Sequence, residues 1–372
     1  VEKTKKEEGM QMKKMLYGLL MLALVSVVLG GCGSSTDVKN VTTTAKEFPK
    51  SGVLVSADWV NSLIDYHKPG STTAAPSNYS YDRTHKYLIF ETQWGPLGDG
   101  YEDGYLVGHI PGAIHSDSDI YENDFPRWFL RSDADLKLSA GSMGITPDTT
   151  VVVYSNSAIF AARLWWILKY IGVTDVRFLN GGVNQWVAKG YPTETTVNNP
   201  VATTYTGTVN PAFIATTPYV EANYTSSTKQ LVDVRTGSEY VGLISGYGYL
   251  VNKGRIPGAV WGYNADDSSG YYTNSDGTLR SFDEIKSMWD RLGITFEKET
   301  IFYCGGGYRS SLTFFYAYLM GYPNIRNYSN GWSEWSTTYT QDATYVKDPA
   351  IPGSTDGWRQ DLSGRPFETG GL

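Results

Sequence analysis

Short apolar runs bounded by glycine, proline and polar residues recur along the chain, and longer apolar stretches follow several of them. Val151–Tyr154 and Ile301–Tyr303 are rich in β-branched and aromatic residues and have the length of buried parallel strands. Phe160–Ile171 and Ser311–Met320 predict helices that stop at Gly172 and Gly321. Val176–Leu179 and Ile325–Tyr328 predict the strands that come next. Leu231–Val234 reads as a further buried strand, and Tyr87–Phe90 as its degenerate counterpart. Strand, helix, strand in succession implies an α/β fold, with a parallel sheet flanked by helices.

The pattern occurs twice. Gly108-His109-Ile110-Pro111-Gly112-Ala113-Ile114 matches Gly254-Arg255-Ile256-Pro257-Gly258-Ala259-Val260. Val151-Val152-Val153-Tyr154-Ser155 matches Thr300-Ile301-Phe302-Tyr303-Cys304, and the register then holds from Gly172 and Gly321 to Trp186 and Trp335. A repeat this long is a duplicated domain, since solenoid units run to about 20–50 residues. Between the copies, the segment from Tyr191 to Ala215 is rich in Thr, Asn and Pro and reads as a linker.

The N-terminus follows another pattern. Lys13 and Lys14 precede an apolar run from Met15 to Gly31, ending in Leu29-Gly30-Gly31-Cys32. A positive start, a short apolar core and small residues predict a secretory signal. The ending resembles a bacterial lipobox, which implies cleavage before Cys32 and lipid attachment to its sulfur. Gly33, Ser34 and Ser35 open a polar tether to about Pro49. The expected location is the cell envelope. By resemblance to bacterial lipoproteins, the lack of Asp at position 33 favours the outer membrane.

Composition narrows the function. The chain has 372 residues, 41% hydrophobic and 19% charged, with net charge −7. It has no basic stripe of the kind that neutralises phosphates, so no nucleic-acid partner is expected. There are two cysteines. With Cys32 lipidated, Cys304 has no intrachain disulfide partner, which points to a reactive thiol. The four histidines lie in the first half, away from zinc spacing with a cysteine, and neither metal nor cofactor is called for.

Cys304-Gly305-Gly306-Gly307-Tyr308-Arg309-Ser310 lies between an apolar strand and a helix, where open α/β sheets place their ligands. The glycines permit positive φ and inward N–H groups. The helix start contributes its positive dipole end, and Arg309 a guanidinium. Together they should lower the pKa of a thiol and make it a nucleophile.

These residues resemble the rhodanese, or sulfurtransferase, family over about Ser51 to Trp335. The loop is similar to its Cys-Gly-Thr-Gly-Trp-Arg variant, with Gly306 for Thr and Tyr308 for Trp. Leu231-Val232-Asp233-Val234-Arg235 with Glu239 and Tyr240, and Asn330-Gly331-Trp332, also fit. The resemblance implies two tandem rhodanese-like domains. Residues 1–31 would be a signal peptide and 32–50 a lipidated tether. Residues 51–195 would be an inactive domain, with Ser155 at the cysteine position. A linker over 196–215, a catalytic domain over 216–345 and a C-terminal tail over 346–372 complete the chain.

By the same resemblance, Cys304 takes sulfur from a small sulfur-containing anion, such as thiosulfate or 3-mercaptopyruvate. It then passes it to a thiol or cyanide through a persulfide. Gly305, Gly306, Gly307, Tyr308 and Arg309 would bind substrate. Arg235 would lie near the anion or form a salt bridge with Glu239, and Asp233 would orient loop backbone. Arg255, standing where the family has histidine, would add charge near the site or face solvent.

Two other readings remain. A cysteine phosphatase loop needs five residues between cysteine and arginine to ring a phosphate, and here there are four. The chain could instead be a non-catalytic, lipid-anchored sulfur- or selenium-binding module, or a subunit of an envelope redox complex.

Overall fold

The computed structural model describes residues 46–98, 103–123, 125, 128–262, 270–349 and 354–371. The segment read as a signal peptide, and Cys32, lie outside them. No helix among the described residues is long and apolar enough to cross a membrane.

In the first half, β1 (Leu54–Val55), β2 (Tyr87–Gln93), β3 (Ile114–Asp117), β4 (Thr150–Tyr154) and β5 (Asp175–Leu179) form a parallel sheet. Its order is β1-β5-β4-β2-β3. In the second half, β6 (Lys229–Asp233), β7 (Val260–Trp261), β8 (Glu299–Tyr303) and β9 (Ile325–Tyr328) form another, in the order β7-β6-β8-β9. The two orders superpose, β2-β4-β5 on β6-β8-β9, as a duplication requires. Even β1 has an echo. Leu54 pairs with Phe178 in β5, and Ile214 makes an isolated parallel bridge to Asn327 at the matching place in β9.

The helices after β4 and β8 span Ala158–Ile171 and Tyr308–Leu319. Nearly every residue on both is buried, which an amphipathic surface helix would not show. They pack on each other. Trp165 meets Phe315 at 4.7 Å and Tyr318 at 4.9 Å between ring centroids, and Phe178 stacks on Phe315 at 4.8 Å. One apolar core therefore runs through both halves, and the ends of β4 and β8 belong to the same body.

Three segments differ from the expected organisation. The linker is a strap pinned to the first half. Thr203 N–H donates to Gly141 O at 2.8 Å, Tyr205 Oη to Ile171 O at 3.0 Å and Asn210 N–H to Tyr170 O at 2.7 Å. Gly172 makes this possible, because a Cβ there would lie 2.2 Å from Thr208 O. The expected tether ends early, since Phe48 packs against Phe282 and Tyr316. The expected tail is structured. β10 (Thr337–Gln341) pairs antiparallel with β11 (Trp358–Leu362), and residues 363–371 return to the second half. Arg255 neither adds charge to the loop nor faces solvent. It clips this segment, donating to Gly370 O at 2.6 Å and meeting Glu368 at 3.2 Å.

Candidate active site

Cys304 follows β8 directly and is 2% exposed. It is a free cysteine. Its sulfur accepts the Gly307 N–H at 3.1 Å and lies 3.7 Å from Ser310 Oγ. Ser310 in turn donates to Asn327 Oδ1 at 2.7 Å.

The loop is supported from behind by Asn330-Gly331-Trp332. Trp332 N–H donates to Cys304 O at 2.7 Å and Ser333 N–H to Gly305 O at 3.1 Å. Gly331 has φ 47°, and a Cβ there would sit 2.2 Å from Cys304 O. The motif read from the sequence is thus the loop's foundation.

The three loop glycines have different reasons to be glycine. At Gly305 a Cβ would fall 2.0 Å from the Tyr247 ring. At Gly307, with φ 94°, it would fall 2.4 Å from Arg163 Nη1 and 2.6 Å from Ser329 O. At Gly306 it would meet only Tyr249 Oη, at 3.9 Å. Gly306 is therefore the one position in the glycine run with room for a side chain.

Arg309 does not point a free guanidinium into the loop. It donates to Glu239 at 2.8 and 2.9 Å and to Tyr247 Oη. Burial pushes the Glu239 carboxyl up. The hydrogen bonds and charge of Arg309, the charge of Arg235 and the Thr236 N–H outweigh that and hold it below its ordinary value. Tyr247 Oη also accepts the Gly305 N–H at 2.8 Å. Its own acidity is weakened, chiefly by burial, with Arg309 opposing.

Tyr308 faces the other half. Its hydroxyl donates to Glu122 at 3.1 Å, and its ring lies edge-on to Phe160 and Trp94. Arg235 corrects the sequence reading. It is 0% exposed, and its partner is Asp233, at 2.6 to 3.2 Å, instead of Glu239. It also donates to Gly254 O and packs over Trp332. With no open face it supports the Trp332 foundation, and Asp233 is spent on holding it.

Sequence reasoning missed Tyr247, Ser310, Asn327, Glu122 and Arg163. Ser310 alone had a local signal, as a hydroxyl six residues after the cysteine at a helix start. In the first half, Ser155 Oγ accepts the Ser157 N–H at 3.2 Å. The helix there begins at Ala158, three residues on, against four after Cys304. The spacing from Ser155 to Gly172 equals that from Cys304 to Gly321, so the loops match in length and differ in that a hydroxyl replaces the thiol. Among the described residues no cluster of His, Cys, Asp and Glu could hold a metal.

The chain is similar to known proteins over both halves. The rhodanese-like domain model matches residues 99–189 and 216–338. The thiosulfate sulfurtransferase YnjE of Escherichia coli K12 is 34% identical over 308 residues, 81% of this chain and 67% of the relative. The sulfur carrier protein TtuD of Thermus thermophilus is 34% identical over 250 residues, 62% of this chain and 83% of the relative. A solved structure of an anaerobic ergothioneine biosynthesis enzyme from Chlorobium limicola, in complex with its natural substrate trimethyl histidine, matches with TM-score 0.72. It is 31% identical, over 87% of this chain and 72% of that one.

Proposed function

Because the chain belongs to the rhodanese-like domain family of sulfurtransferases, we propose that Cys304 carries a sulfane sulfur from a thiosulfate- or 3-mercaptopyruvate-like donor to a thiol or cyanide. The Cys304 thiolate attacks the outer sulfur of the donor. The bond to that sulfur breaks, and sulfite or the enolate of pyruvate leaves with the electron pair. An acceptor thiolate or cyanide then attacks the terminal sulfur of the persulfide and restores the Cys304 thiolate. The observation that carries this reading is the Gly307 N–H on Cys304 Sγ, a donor placed to hold an anionic sulfur.

Arg309, bound to Glu239, serves this reading by fixing Tyr247 beside the loop. Arg235 serves it by stiffening the foundation. Trimethyl histidine, the natural substrate in the matching Chlorobium limicola structure, belongs in the acceptor panel because that structure shares this fold at 31% identity.

The test is intact mass spectrometry of the protein after incubation with thiosulfate, 3-mercaptopyruvate or polysulfide. A gain of about 32 Da on Cys304, absent from Cys304→Ser, is expected. If no donor loads the cysteine, the transferase reading falls and a sulfur-binding module takes its place. The anchor at Cys32 belongs to the same proposal and sets the site at the cell envelope, within reach of redox partners there. Cys32→Ala should shift the protein from the membrane to the soluble fraction; retention in the membrane would refute the anchor.

A further inference from the structure

The half without the cysteine grips the cysteine loop with a buried ion pair. Arg163, on the helix Ala158–Ile171, donates to Glu122 Oε1 through Nε at 3.2 Å and Nη2 at 2.9 Å. Its remaining Nη1 donates to Ser329 Oγ at 2.8 Å, across the boundary between the halves. The same Nη1 lies 2.4 Å from where a Gly307 Cβ would be. Glu122 Oε2 accepts the Tyr308 hydroxyl at 3.1 Å. Nearby, Leu130 N–H donates to Asn330 Oδ1 at 3.0 Å. Both charges are almost wholly buried, at 2% exposure each.

A buried ion pair is weak evidence for stability, because desolvation offsets the attraction. This pair touches Gly307, Tyr308 and Ser329, the residues that close the Cys304 loop. Gly307 supplies the N–H that meets the sulfur. We infer that Glu122 and Arg163, from the half that lost its cysteine, are positioning residues that hold Gly307 and Tyr308 so that the loop N–H stays aimed at Cys304 Sγ. This rests on the sulfur-transfer reading for its consequence and on the geometry alone for its existence.

The device is pH-sensitive. Burial pushes the Glu122 carboxyl up to about 7, against the charge and hydrogen bonds of Arg163 and the hydrogen bond of Tyr308, and the Asp119 charge adds to the rise. Arg131, whose Nε bonds Glu122 O, and Tyr249 also face the group. Protonation of Glu122 removes the charge that orients Arg163, so the loop is held less firmly on the acid side.

Two rates are read on the full chain between pH 5.5 and 8.5: single-turnover persulfide formation from thiosulfate, and alkylation of Cys304 by iodoacetamide. Glu122→Gln with Arg163→Met removes both charges at similar volume. It should slow persulfide formation by about 10- to 100-fold at pH 8, as loss of alignment does. Glu122→Gln alone should erase an inflection in the wild-type profile near pH 7. If the double variant does not fold, Tyr308→Phe, which deletes one hydroxyl, carries the test with a slowing of about 3- to 10-fold. Rates within twofold of wild type for both reactions, with an unchanged pH profile, would overturn the inference. A wild type that takes up no sulfur, but whose Cys304 alkylation still responds to these variants, would sink the transfer reading and leave the positioning intact.

Discussion

Arg309 and Glu239 form a buried, two-nitrogen ion pair, at 2.8 and 2.9 Å, between the start of the helix after Cys304 and the short helix Gly237–Tyr240. Glu239 at the same time closes a capping box with Thr236. The arginine that sequence reasoning assigned to the substrate is thereby tied to the segment that carries Tyr247. Its two anchors, Glu239 and Tyr247, meet at one guanidinium.

Removing Glu239 leaves that guanidinium buried without a counter-charge. Glu239→Ala should lower stability by about 3–5 kcal/mol at neutral pH, as loss of one partner of a buried pair does. The pH dependence has a definite sign. Arg309 holds the folded-state carboxyl below its ordinary value of 4.5. The pair's contribution is therefore present above that value and lost as pH falls through the folded-state value. Urea unfolding at pH 7 and pH 3 checks this: the gap between wild type and variant should narrow in acid. An equal gap at both pH values would contradict it.

The glycines make a sharper comparison. Gly307→Ala introduces a Cβ that overlaps Arg163 and Ser329 at a left-handed φ of 94°. Strain and overlap together should destabilise by about 2–4 kcal/mol and misplace the N–H that meets the sulfur. Gly306→Ala meets ordinary contact at 3.9 Å and should change stability by less than about 1 kcal/mol. The two variants share a chemical change and differ only in surroundings. Chemical denaturation together with persulfide formation separates them. A Gly306 variant that loads sulfur but discriminates against large acceptors would place Gly306 on the acceptor's path.

The duplication and the Cys304 loop were legible because their signals are local. β-branched runs, glycine stops and a cysteine before three glycines all fit within a dozen residues. The residues that hold the loop were not, because they come from elsewhere. Tyr247 lies in a Gly- and Tyr-rich stretch without periodicity, and Glu122 and Arg163 belong to the other half. The identity of a partner is equally hidden. Glu239 and Asp233 are both near Arg235 in sequence, and only the folded chain shows that Asp233 takes Arg235 while Glu239 takes Arg309. β11 escaped notice because Trp358-Arg359-Gln360-Asp361-Leu362 has the polarity of an exposed edge strand, with most of its side chains in solvent.

The Asp233–Arg235 pair predicts a split between stability and chemistry. Both residues are 0% exposed, and Arg235 Nη1 finds no partner among the described residues. Asp233→Ala strands the guanidinium against Trp332 and should cost about 3–5 kcal/mol. Replacing both by apolar residues of similar volume, Asp233→Leu with Arg235→Met, should recover much of that loss. If the double replacement also keeps the rate of persulfide formation, Arg235 acts as a support. A rate lost in a well-folded double variant would return Arg235 to substrate binding.

The C-terminal segment gives the last prediction. Strand β11 pairs along the whole of β10, and the chain then returns to cover Trp335, whose indole N–H donates to Pro366 O at 2.9 Å. Arg255 and Glu368 exchange two backbone hydrogen bonds at 3.0 Å, and Gly370 N–H donates to Val241 O at 2.8 Å. Val241 directly follows the helix that carries Glu239, and Trp335 lies on the helix Gly331–Ser336 beneath the cysteine loop. A stop codon after Tyr345 would remove these hydrogen bonds and uncover Trp335, which is 0% exposed in the full chain. At about 1 kcal/mol net for each lost hydrogen bond, the truncated chain should lose at least about 3 kcal/mol. Its urea midpoint should fall, and persulfide formation should slow at temperatures where the full chain is stable. A truncated protein with an unchanged midpoint would show that residues 346–372 are a tail after all, and that the contacts made by β11 and Gly370 add nothing to the site.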